Sequence, residues 1–149
     1  MTEVTFTGKS PFIIIDRFIL DDDMKIKSLE SHFHPPTAVG GAPREKFAEQ
    51  MDAADQVAKE FAAGLFAHEL VGLFHADGVW ADPVGGPPPN VGKDAIAERQ
   101  TKLPPMDSVE VEEVFYTMSD KVCLAKNRVT FTGMNGMAPF IVLDKFTLA

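Results

Sequence analysis

Cysteine, tryptophan and tyrosine occur once each in this 149-residue chain. The lone Cys123 excludes a disulfide framework and a cysteine-built metal centre. No run approaches the ~20 apolar residues that a membrane-spanning helix needs. The opening Met1-Thr2-Glu3 has neither the basic start nor the apolar core of a secretion signal, so the chain reads as cytoplasmic. Basic residues are in the minority, 14 against 22 acidic, for a formal net charge of −8. That balance argues against nucleic acid or an anionic membrane as a partner. Gly85-Gly86 lacks the Walker spacing of a phosphate cradle, and no Ser/His/Asp nucleophile motif is present. With 45% hydrophobic and 24% charged residues, the chain has the makings of an ordinary globular core, and its length suits a single domain.

A repeat dominates what is there. Val4-Thr5-Phe6-Thr7-Gly8 recurs as Val129-Thr130-Phe131-Thr132-Gly133. Each copy leads into a second matching segment, Pro11-Phe12-Ile13-Ile14-Ile15-Asp16-Arg17-Phe18-Ile19-Leu20 at the start and Pro139-Phe140-Ile141-Val142-Leu143-Asp144-Lys145-Phe146-Thr147-Leu148 at the end. The copies lie about one small-domain length apart, too far for a solenoid with its period of roughly 20–50 residues. A trimmed tandem duplication accounts for this. The chain then starts inside one copy of a domain, ends inside the next, and is circularly permuted with a duplicated strand.

Alternation of apolar and polar residues predicts strands over 3–7, 11–20 and 24–34, with a turn at Asp21-Asp22-Asp23 and a bulge near Ser28-Leu29. In the second strand Phe12, Ile14, Asp16, Phe18 and Leu20 share a face. Residues 35–43, rich in Pro and Gly, read as a linker that joins the permuted hairpin 1–34 to the body 44–149. Helical spacing of Phe47, Met51, Ala54, Ala58, Phe61 and Leu65 predicts a helix over 44–66, and a short helix is expected at about 68–75. A strand at 78–82, a Gly/Pro loop at 83–89, a helix opening at Gly92 and strands at 108–118, 121–133 and 138–148 complete an α+β plan, with helices on one side of a curved, mostly antiparallel sheet.

From residue 44 onward the chain resembles the ketosteroid-isomerase and SnoaL-like branch of the nuclear transport factor 2-like superfamily. The likeness is carried by Leu73-Phe74-His75-Ala76-Asp77-Gly78-Val79-Trp80-Ala81-Asp82-Pro83-Val84-Gly85, by Gly92-Lys93-Asp94-Ala95-Ile96, and by Ala138-Pro139-Phe140-Ile141-Val142-Leu143-Asp144-Lys145-Phe146. It implies a cone-shaped fold around an apolar pocket. The final strand of ordinary members is supplied here from the front, by Met24 to His34. It also implies proton transfer on a hydrophobic cyclic carbonyl compound, steroid- or polyketide-like, with no cofactor, in a homodimer that is open to strand exchange. The chain departs from the isomerases on the first long helix. Their oxyanion-binding tyrosine has no counterpart there, where Ala58 and Phe61 stand instead, while Tyr116 falls on a strand.

Asp82 carries the first part of the expected chemistry. Against Trp80 and apolar neighbours its carboxyl would be poorly solvated and raised toward general-base range; the plainer alternative is a strand-ending residue in an Asp-Pro turn. Asp144, on a face with Phe140, Val142 and Phe146, is expected to stay protonated and donate to a developing enolate, as in the isomerase mechanism, or else to be a buried carboxyl satisfied within the fold. Asp16 has the same surroundings in the first copy, and only one of the two strands can fill the place beside 24–34. The N-terminal hairpin is expected to be exchanged or at an interface, leaving Asp144 in the pocket. Trp80, Phe33, Phe61, Phe131, Phe140 and Val142 are the expected walls. His32 and His34 read as solvent-facing, with no acidic or cysteine cluster to complete a metal site. Two other functions stay open. One is a non-catalytic module that binds a hydrophobic ligand or dimerises. The other is a cofactor-free hydrolase of epoxide type, which would want an Asp-Arg-Asp set and for which Arg128 is the nearest strand arginine.

Overall fold

The computed structural model describes residues 2–4, 12–34, 42–84, 86–117, 121–134 and 136–148. Three strands come first, β1 (Thr2–Val4), β2 (Phe12–Leu20) and β3 (Ile26–His34). Helix α1 (Ala42–Ala67), a single 3-10 turn at Val71–Leu73, β4 (Val79–Trp80), β5 (Asn90–Val91) and α2 (Gly92–Thr101) follow. The chain closes on β6 (Met106–Tyr116), β7 (Val122–Phe131) and β8 (Phe140–Thr147). The plan is α+β with antiparallel pairing, and among the described residues the strands group as β1-β2-β3, β4-β5 and β6-β7-β8.

Asp21 makes the β2–β3 hairpin turn. Its Oδ1 accepts the backbone N–H groups of Asp23 (3.0 Å) and Lys25 (2.8 Å), and Met24 adopts a left-handed φ of 62°. The register pairs Asp16 with Ser31 and Arg17 with Glu30, then slips between Ile19 and Leu20, which face Ser28 and Ile26. The bulge therefore takes in Lys27, one residue from its expected place. Strand β2 thus pairs with β3 from Ile13 to Leu20.

Two compact units emerge, interleaved along the sequence. The first takes in residues 1–54, 115–124 and 145–148, and its apolar core joins Ile15 of β2, Phe115 of β6 and Leu124 of β7. The second holds 55–114 and 125–144, together with residue 149. Here α1 buries Ala58, Phe61 and Ala62 at helical spacing, and Leu70, Trp80, Ile96 and Val129 are buried too.

The helix expected at 68–75 shrinks to that single turn. His68 leaves α1 with a positive φ of 59°, and the side-chain amide oxygen of Gln100 on α2 captures the N–H groups of Leu70 and Val71. The 78–82 strand likewise shortens to two residues, since pairing with Asn90–Val91 ends at Trp80. At the far end of the linker, Ala42 and Pro43 already belong to α1, where Pro43 tolerates the first turn because it has no N–H to satisfy.

Candidate active site

In the second unit β7 alternates sharply. Ala125, Asn127 and Val129 are buried, while Lys126, Arg128 and Thr130 between them are partly exposed. Asn127 is thus a polar residue on an apolar face. Its Nδ2 donates to Asp144 Oδ2 of β8 at 2.7 Å. Four residues further along β7, Phe131 meets Phe140, four residues back along β8, in an edge-on contact with centroids 5.2 Å apart. The two contacts run in opposite senses along the strands, as antiparallel neighbours require, and put Phe140, Val142 and Asp144 on one face, with Phe140 exposed and the other two half-buried.

Burial pushes the Asp144 carboxyl up to about 6 from an ordinary 3.8. The Asn127 hydrogen bond acts in the other direction by favouring the ionised form, and the negative charge of Asp82 raises Asp144 further. Asp82 and Asp144 are therefore electrostatic neighbours.

Asp82 itself differs from expectation. Arg99, in the last turn of α2, brings its Nη2 to 2.9 Å from Asp82 Oδ2. The Asp82 side chain keeps 38% of its surface exposed, so it lies in an ion pair open to water and not in an apolar wall. The guanidinium carbon of Arg99 also lies 5.6 Å from the centre of the Trp80 ring, within cation–π range. Phe74 tilts against that indole at 6.1 Å, and the Asn90 side-chain amide donates to the Trp80 carbonyl at 3.1 Å. The Asp82–Pro83 peptide is cis.

Asp82, Asp144, Trp80, Phe61, Phe131, Phe140 and Val142 all fall in the second unit. Asp16 falls in the first, where it accepts the Ser31 hydroxyl at 2.6 Å. The side chains of Phe33, His34 and Tyr116 lie outside the described residues. His32 is not solvent-facing: it is largely covered and its Nε2 lies 3.0 Å from Glu30. Arg128 is committed to Glu112, which also binds Lys126. Among the described residues no group of three or more His, Cys, Asp or Glu is arranged to hold a metal ion, and no helix is long and apolar enough to cross a membrane.

Sequence reasoning missed Arg99 and Asn127. Arg99 sits on a helix, and nothing in its local pattern points to Asp82. Asn127 did leave a signal: it interrupts the alternate apolar residues Cys123, Ala125, Val129 and Phe131. Comparison with protein-family models and with curated proteins found no match for the chain.

Proposed function

We propose that the chain is an acid–base enzyme of ketosteroid-isomerase or SnoaL-like type, built on a circularly permuted nuclear transport factor 2-like cone. It moves a proton on a small hydrophobic cyclic carbonyl compound. The observation that carries this reading is Asp144: a half-buried carboxyl raised to about 6, on a strand face with Phe140 and Val142, beside a second carboxylate that is bound to arginine. Two carboxyls whose surroundings separate their proton affinities divide naturally into an acid and a base.

In this mechanism the free oxygen of Asp82 takes the proton next to the substrate carbonyl, while Arg99 anchors the other oxygen. Protonated Asp144 donates to the developing enolate oxygen, where charge accumulates in the transition state. Asp82 then returns the proton to the conjugated carbon. Phe131, Phe140 and Phe61 supply apolar contact. Exposed Ile141 and Leu143 on the outer face of β8 suit the homodimer that the resemblance implies.

The Asp82–Arg99 pair next to Asp144 favours a second reading, a cofactor-free epoxide hydrolase. It gives the Asp-Arg-Asp set that chemistry wants, with Arg99 in the part first considered for Arg128. One experiment separates the readings. Conjugated-enone formation from a Δ5-3-ketosteroid, followed by ultraviolet absorbance, is expected for the wild type, with a loss of roughly a hundredfold or more in Asp82→Asn. No turnover of the ketosteroid, with diol formation from a cyclic epoxide, would move the assignment to the hydrolase. Binding of a steroid phenol with neither turnover would leave a binding module.

A further inference from the structure

Asn127 has no surface exposed, and its Oδ1 is a buried acceptor without a hydrogen-bond partner. A buried carbonyl oxygen left unpaired is costly, and a native fold retains one only where something else is gained. Its neighbours Ala125 and Val129 are apolar, so an apolar residue at 127 would match the rest of that buried face. What the amide has is Asp144, to which Nδ2 donates at 2.7 Å.

We propose that Asn127 is a positioning residue for Asp144, one that serves it in both protonation states. An amide is suited to this and a charged group is not. It presents an N–H to a carboxylate and, turned over about its terminal torsion, a carbonyl oxygen to a carboxylic acid. The carboxyl oxygen that bonds Asn127 is thereby fixed, and the other is left for the substrate. Charge from the surroundings reaches Asp144 from Asp82, itself bound to Arg99. Asn127 brings no charge of its own, so it orients Asp144 without locking it into one form. The role in catalysis rests on the isomerase reading; the role as partner of Asp144 does not.

The test is a carboxyl titration by nuclear magnetic resonance on protein labelled at its aspartate side chains, with the Asp144 signal assigned through Asp144→Asn. Asn127→Leu removes the donor at similar volume. Its Asp144 midpoint is expected to rise by up to about one pH unit, because the bond Asn127 gives the carboxylate is stronger than the one it accepts from the acid. A folded Asn127→Leu protein with an unmoved midpoint overturns the proposal. Should that variant not fold, the wild type still decides. The side-chain NH2 resonances of Asn127 are expected to shift across the Asp144 midpoint and to lose that shift in Asp144→Asn. Resonances that stay still through the titration overturn the proposal. A moved midpoint in a protein that turns over no ketosteroid would uphold the pairing and remove the isomerase reading. An unmoved midpoint in an active enzyme would do the reverse.

Discussion

Arg17 and Lys145 hold equivalent places in the two copies of the repeated strand, and both bring their cations to Glu30 of β3. Arg17 faces Glu30 across the β2–β3 pair, with Nη1 to Oε2 at 3.3 Å. Lys145 binds the other carboxylate oxygen. The Lys145 ammonium, reinforced by Arg17, holds the Glu30 carboxyl below its usual range. One glutamate thus reads the same position of the duplicated sequence twice. The contact calls for a cross-linking test. In a Cys123→Ser background, E30C/K145C is expected to be bridged by a short bifunctional thiol reagent and to run as a monomer on a denaturing gel. A K25C/K145C control should be bridged less. A cross-linked dimer from E30C/K145C would mean that the strands meet between chains.

The pH dependence of the proposed reaction has a definite sign. Asp144 is the proton donor, so activity requires its protonated form. Turnover should fall about tenfold per unit as pH rises above a midpoint of about 6. A rate that instead climbs through pH 6 would show that Asp144 is the base and would exchange the roles of the two aspartates.

Stability should carry the mirror of that titration. A carboxyl whose folded value, about 6, exceeds its ordinary 3.8 gives the native state extra proton uptake between those limits. The stabilisation is complete below pH ~4, declines as pH rises through 6, and is absent above it. The interval corresponds to at most about 3 kcal/mol. Asp144→Asn should remove this decline. Urea unfolding at pH 4 and pH 8 would show it as a smaller difference between the two pH values for the variant than for the wild type.

Arg99 ties Asp82 to the only tryptophan of the chain. Arg99→Ala should therefore open Trp80, which is now 8% exposed, to solvent. Acrylamide quenching is expected to increase and the emission to move to longer wavelength. The loss of stability should be small, about 1 kcal/mol, because Asp82 remains partly in water. Unchanged quenching would mean that other residues shield the indole.

Local pattern made part of this molecule legible. The long helix, the Asp21 turn, the hairpin and the three closing strands follow from periodicity and turn chemistry, and these are properties of neighbouring residues. Asp82 and Asp144 stood out for a related reason, since a carboxylate among apolar residues breaks its own pattern. The captor of Leu70 and Val71 did not stand out: Gln100 lies on another element, and only folding brings it there. Arg99 was hidden in the same way, and it changed the character of Asp82 from an apolar-walled carboxyl to one arm of an ion pair. Asn127 lay between these cases, visible as a flaw in an apolar face but silent about its partner.

Lys145 has one more consequence. β8 stands last in its sheet, and its outward face carries Ile141 at 53% and Leu143 at 50% exposure, with Lys145 following in alternation. A terminal strand with apolar side chains on display is a template for stacking with other chains, and a lysine is a common guard against it. Glu30 spends part of that guard by neutralising it. Acetylation of Lys145 would take the remaining charge from that edge and is expected to make β8 more prone to stacking.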